Sequence, residues 1–169
     1  MKTPSEVVEQ SFLDILSLHQ NLINRVIRMY ARDAEDRKDL FQEIVYQLWR
    51  SYRSFRGESK VSTWVYRVAF NTAITALRKS KRNPEEEQLK DEVIDSLQSH
   101  ESPDKSEQIQ QLYFAIKSLG ELDRALVMLY LEDLSYKEIA DVLGLTEDNV
   151  GVKLNRVKSK LRVSIGQIE

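Results

Sequence analysis

The stretch LSYKEIADVLGLTEDNVGVKLNRVKSKL, residues 134–161, decides the fold. It opens with Ser135-Tyr136-Lys137-Glu138, a capping box in which a Ser at the cap is followed three residues later by Glu. A short helix follows, carrying Ile139, Ala140, Val142 and Leu143. Gly144 then supplies a turn residue able to take positive φ. After Leu145, Thr146 offers a second N-cap, and Val150, Leu154, Val157 and Leu161 recur at helical spacing on one side. Asn149, Val152, Lys153, Arg156 and Lys160 lie on the other side, with Asn155 beside them. Short helix, Gly turn and longer basic helix form a helix-turn-helix, which presents polar and cationic side chains where a major groove would take them. An ordinary helical hairpin with a solvated basic face reads much the same locally. Two caps, a small residue (Ala140) at the crossing, the turn Gly and the basic second helix together favour DNA reading.

Working outward, residues 108–119 and 122–132 each read as a helix, so the block 108–165 is one small helical domain. Before it, residues 83–107 contain Asn83-Pro84, the triplet Glu85-Glu86-Glu87 and Ser102-Pro103, with few large apolar side chains. This composition predicts a flexible, solvated linker. From residue 85 to 107 nine acids face two lysines, a charge of −7; from 50 to 82 nine basic residues face one acid, a charge of +8. The net charge of −2 therefore hides two distinct working surfaces.

The block 12–82 predicts a first helical domain, after an N-terminal tail at residues 1–11. Residues 12–31 read as one helix, with Leu16, Ile23, Ile27 and Tyr30 near one stripe. A second helix runs from about 34 to 52, where Leu40, Ile44 and Leu48 recur every four residues. Arg56-Gly57-Glu58-Ser59 breaks the pattern. A third helix starts near Ser62, read as its N-cap, with Val65, Val68, Ala69, Ala73 and Leu77 inward and Arg67, Asn71, Thr75, Arg78 and Arg82 on another face. Seven of the 14 aromatic residues fall between 46 and 70, interleaved with Arg50, Arg53, Arg56, Lys60 and Arg67. Cations with stacking rings suit single-stranded DNA. Aromatics at helical spacing also fill cores, which is the reading for Trp49 and stays open for Trp64; the exposed candidates are those flanking the loop at 55–62.

Whole-chain numbers agree. Hydrophobic content of 41%, charged content of 31%, five Gly and three Pro in 169 residues point to an all-α protein of two small helical domains joined by a flexible acidic linker. There is no Cys, which excludes disulfides and thiolate metal sites and fits a reducing, cytoplasmic setting. No run is apolar enough for a membrane span, and none resembles a signal peptide, so membrane insertion is not expected. His19 and His100 are isolated, no Gly-rich phosphate loop is present, and nothing pairs the carboxylates into an acid–base site. Neither catalysis, a cofactor nor a metal is expected.

One resemblance ties the blocks together. Asp39-Leu40-Phe41-Gln42-Glu43, then Trp49, Phe55-Arg56-Gly57-Glu58-Ser59, Thr63-Trp64-Val65-Tyr66-Arg67-Val68-Ala69 and Asn71 resemble conserved region 2 of the extracytoplasmic-function (ECF) sigma factors, small members of the sigma-70 family. Residues 134–140, Leu143-Gly144 and Asn155-Arg156-Val157 resemble their region 4. The resemblance implies a sigma factor that directs core RNA polymerase to promoters and nucleates DNA melting. It implies that Asp39, Gln42 and Glu43 dock on the β′ clamp helices. It implies that Arg56, Ser59, Lys60, Ser62, Arg67, Asn71 and Arg78 serve the −10 element. It implies that Asn149, Val152, Lys153, Asn155, Arg156 and Lys160 serve the −35 element, in a domain that also touches the β flap. The linker would thread toward the RNA exit path, and an anti-sigma factor would be the regulatory partner. Two departures stand out: many members carry a basic residue where this chain has Gly151, and Ser where it has Val152. A free-standing helix-turn-helix regulator and a helical adaptor without DNA function are the competing readings; the aromatic-basic loop and the helix bearing residues 39–43 favour the sigma factor, because a simple repressor needs neither.

Overall fold

The computed structural model describes residues 4–82 and 107–166. All regular structure among the described residues is helical: α1 (Pro4–Leu18), α2 (Gln20–Tyr30), α3 (Ala34–Tyr52), α4 (Val61–Lys81), α5 (Glu107–Lys117), α6 (Glu121–Leu131), α7 (Tyr136–Leu143) and α8 (Glu147–Gly166). The chain divides into two compact units, Met1–Ala76 and Leu77–Glu169. The acidic stretch expected as a linker, residues 83–107, lies outside the described residues apart from Glu107, which opens α5.

In the first unit, helix begins at Pro4, where the sequence reading placed a tail, and the helix expected over 12–31 is two helices. They part at His19, whose backbone sits at φ −106°, ψ 11°. His19 Nδ1 lies 2.9 Å from the Ile15 carbonyl oxygen, which already accepts the His19 backbone N–H at 3.1 Å. A side chain that competes for a helical carbonyl bends the helix there. Beyond the bend α2 buries Leu22, Ile23, Val26, Ile27, Met29 and Tyr30. Asp33 caps α3, accepting from the Asp36 N–H at 2.8 Å, and Leu40, Ile44 and Leu48 face the core. α4 contributes Val65, Ala69, Phe70 and Ala73, all fully buried, and Phe70 meets Tyr30 edge-on at 6.0 Å.

In the second unit α8 packs on α5, α6 and α7. Its buried stripe, Val150, Leu154, Val157 and Leu161, is the one the sequence spacing indicates. Ser135 accepts from the Glu138 N–H while Glu138 reaches back to the Ser135 N–H at 2.9 Å, so the capping box forms. Gly144 ends α7 at φ 67°, and Thr146 Oγ1 accepts from the Asn149 N–H at 3.3 Å. Arg124 is a structural residue the sequence did not announce. It is buried in α6, and its Nη2 donates to the Lys117 and Leu119 carbonyls at 2.6 and 3.0 Å, satisfying acceptors left open where α5 ends.

Candidate nucleic-acid and partner interfaces

Three sets of side chains stand at or near the surface, on α3, on the loop leading into α4 and along α4, and on α8, each helix having a buried stripe on another side. On α3, Asp39, Gln42 and Glu43 are all exposed. Helical spacing puts them within about a third of the circumference, away from the buried Leu40, Ile44 and Leu48. Glu43 accepts from Gln47 Nε2 at 2.8 Å. Beside them runs an open groove of about 470 Å³ between α1 and α3, lined by Leu13, Phe41, Gln42, Val45, Tyr46 and Trp49. Leu13 and Tyr46 are 55% and 56% exposed. The sequence reading grouped Tyr46 with the loop aromatics; its position one turn from Gln42 and Glu43 shows that it belongs to the α3 face.

The loop between α3 and α4 is anchored at both ends by rings. Phe55 stacks on Trp64 at 4.9 Å and 24°, Tyr52 lies 6.3 Å from Trp64, and Phe12 joins Tyr52 and Trp49 at 5.4 and 4.9 Å. Trp64, left open by the sequence, is only 6% exposed and belongs to the core, while Tyr52 and Phe55 are half-exposed. Their work is to hold the loop. Between the anchors Gly57 takes φ 71°, a conformation costly for other residues, and Arg56 and Lys60 are exposed. α4 starts at Val61, with the Lys60 carbonyl accepting from the Trp64 N–H at 3.1 Å. The cap is therefore Lys60 through its backbone, and not the side chain of Ser62. Along α4, Arg67, Asn71 and Arg78 fall on one stripe with Thr75, half-exposed at Arg67 and exposed beyond it. Ser59 and Ser62 are half-exposed, and Ser62 lies roughly half a turn around the helix from Asn71. Arg78 belongs to the second unit, where its Nε donates to Glu121 at 3.0 Å. Glu121, at the start of α6, is held at about 2 by its own backbone N–H and then by Arg78.

On α8, Asn149, Val152, Asn155 and Arg156 project from the face opposite the core and are exposed. Lys153 is half-buried on one flank. Lys160 is drawn toward α6, where its Nζ meets Asp123 at 2.9 Å. Gly151 lies on the other flank under the Tyr136 ring of α7. The arrangement presents hydrogen-bonding and cationic side chains along the first turns of the second helix of a helix-turn-helix, which suits a major groove. Among the described residues no three His, Asp or Glu side chains could hold a metal ion, and no helix is long and apolar enough to cross a membrane.

Comparison with known proteins follows the same division. The Sigma-70 region 2 family matches residues 15–83, and the Sigma-70 region 4 family matches residues 109–161. The ECF RNA polymerase sigma-E factor of Haemophilus influenzae is 29% identical over 168 residues, covering 93% of this chain and 88% of its own. The RNA polymerase sigma-H factor of Pseudomonas aeruginosa is 30% identical over 160 residues, covering 88% and 83%. Among solved structures, the sigma factor RpoE of Bartonella quintana, in complex with the anti-sigma factor NepR, shares the fold at a TM-score of 0.72 and 19% identity, covering 93% of this chain and 98% of that one.

Proposed function

Since the chain belongs to the sigma-70 family, as an ECF sigma factor that directs core RNA polymerase to promoters, we propose that its three exposed faces divide that work among them. The α3 face with Asp39, Gln42 and Glu43 docks on core polymerase, at the β′ clamp helices. The loop with Arg56, Ser59, Lys60 and Ser62, continued by Arg67, Asn71 and Arg78, takes the −10 element and nucleates melting. The outer face of α8 reads the −35 element, while the second unit meets the β flap. The assignment rests above all on one observation: α3 and α8 each carry an exposed, largely polar face opposite a buried apolar stripe, and the loop before α4 with the outer stripe of that helix likewise stands outside the buried core. The protein acts where polymerase acts, in the cytoplasm, and as an initiation subunit it carries no chemistry of its own. The Bartonella relative is held by an anti-sigma factor; a comparable protein would control this chain by covering the same faces.

Melting needs a surface that prefers unpaired bases, because only differential affinity shifts an equilibrium. Extruding a base costs a few kcal/mol, which edge hydrogen bonds and phosphate contacts must offset. With Trp64 and Phe55 stacked on each other, the hydroxyl, amide and cationic groups of the loop and α4 carry that role. The reading is tested at the polymerase face. Asp39→Arg with Glu43→Arg abolishes co-purification with core polymerase and keeps the helical circular-dichroism signal, since exposed charges contribute little to folding and their reversal sets like charges together at the interface. Unchanged co-purification would overturn the α3 assignment.

A further inference from the structure

Val152 breaks the chemistry of the face it occupies. It lies in the second turn of α8 and is 51% exposed, with Asn149 one turn before it and Asn155 and Arg156 one turn after, all exposed. The side chain is turned away from the stripe of Val150, Leu154 and Val157, so it adds nothing to the core. A β-branched residue at a solvent-facing helix position is also a weaker helix former than Ala, so local helix stability does not favour it.

We infer that Val152 reads the C5 methyl group of a thymine in the −35 element, an inference that rests on the α8 assignment above. Within the major groove the base edges present hydrogen-bond donors and acceptors, and the one apolar group that projects from them is the thymine C5 methyl. An apolar side chain held among polar readers gains most by burial against that methyl. Set against an amino group or a carbonyl, it strips water from a polar group and returns no hydrogen bond. The neighbours supply the complementary chemistry: Asn149 and Asn155 suit an adenine edge and Arg156 a guanine edge. A serine here would read hydrogen-bonding groups, so valine narrows this position to one base.

The test uses the full chain with core polymerase. A promoter library randomised over the −35 element is first selected by the wild-type holoenzyme. Each thymine of the selected element is then replaced, one at a time and on both strands, by deoxyuridine, which lacks only the methyl. At one position the wild-type affinity falls about fourfold, the effect of losing one buried methyl contact. In the Val152→Ser holoenzyme, which lacks the apolar methyls, thymine and uracil at that position bind alike, and the other thymines behave as before. No uracil-sensitive thymine, or a sensitivity that persists in Val152→Ser, overturns the inference. Failure of the underlying reading has a different signature: Arg156→Ala then leaves the selected −35 sequence unchanged.

Discussion

Gly151→Ala is expected to stabilise the second unit by about 1 kcal/mol without changing promoter preference. Gly151 lies inside α8 with no positive φ, so it draws no benefit from glycine's freedom and bears its entropic cost. That cost relative to Ala is about 1 kcal/mol in a helix interior. The structure decides whether the added methyl is tolerated. Its Cβ would meet Cε2 and Cδ2 of Tyr136 at 3.5 and 3.9 Å, ordinary contact distances, and nothing closer. Each such contact adds about 0.1–0.2 kcal/mol, so packing reinforces the propensity gain. For a unit of this size the sum raises the melting temperature by about 4–8 °C. Thermal unfolding followed by far-UV ellipticity measures it. The two tryptophans, Trp49 and Trp64, both belong to the first unit, so their fluorescence transition serves as an internal control that stays in place. A lowered ellipticity transition would refute the reasoning by showing that the Tyr136 ring cannot accept the methyl. A changed −35 preference would refute it differently, by placing Gly151 on the DNA face.

Other outcomes follow from the same geometry. Arg124→Ala is expected to cost about 2–3 kcal/mol, because it withdraws a charged donor from two carbonyls at the end of α5; urea unfolding monitored by ellipticity reads this, and a change within error would show that solvent satisfies those carbonyls equally well. Arg156→Ala is expected to lower transcription and relax the −35 preference only, with a loss of discrimination of about 1–3 kcal/mol measured by promoter competition; an altered −10 preference would mean the helix serves the other element. Lys60→Ala with Asn71→Ala is expected to leave the fold and polymerase binding intact while slowing strand opening, read as permanganate reactivity of −10 thymines. A pre-melted bubble template should rescue part of that defect, and opening at the wild-type rate on duplex would remove these residues from the melting site.

What the sequence made legible was local chemistry. The second unit could be read almost residue by residue, because Ser135 and Glu138, Gly144 and Thr146 act within four positions of themselves. The candidate residues on α3 and α8 were legible for a related reason: helical periodicity separates a polar face from an apolar one without knowledge of what packs there. The errors arise where the deciding partner is distant or the signal is ambiguous. Apolar spacing runs straight through His19, which is neither Gly nor Pro, so the bend there, made through the Ile15 carbonyl, left no pattern. Trp64 could not be placed until Phe55 and Tyr52 were seen against it. Ser62 looked like a cap because it is a Ser before an apolar run, yet the helix begins one residue earlier, on the Lys60 carbonyl.

Arginine shows most clearly why residue type alone could not assign roles. Arg124 and Arg156 carry the same charge in helices of the same unit. Arg124 is 7% exposed and its donors are directed at main-chain carbonyls, so its removal is a folding event. Arg156 is exposed on the face opposite Leu154 and Val157, so its removal leaves the core alone and is expected to alter recognition. A similar separation holds in the first unit, where aromatic anchors flank a loop on which Arg56 and Lys60 are exposed. A factor of this kind can therefore change which promoter it reads by substitution on an outer face at little cost in stability. Val152 and Gly151 mark the two sides of that division. One departs from the family pattern on the exposed face proposed to meet DNA, and the other departs on the flank that meets Tyr136. Substitution of Val152 is expected to alter specificity, and substitution of Gly151 to alter the melting temperature without altering specificity.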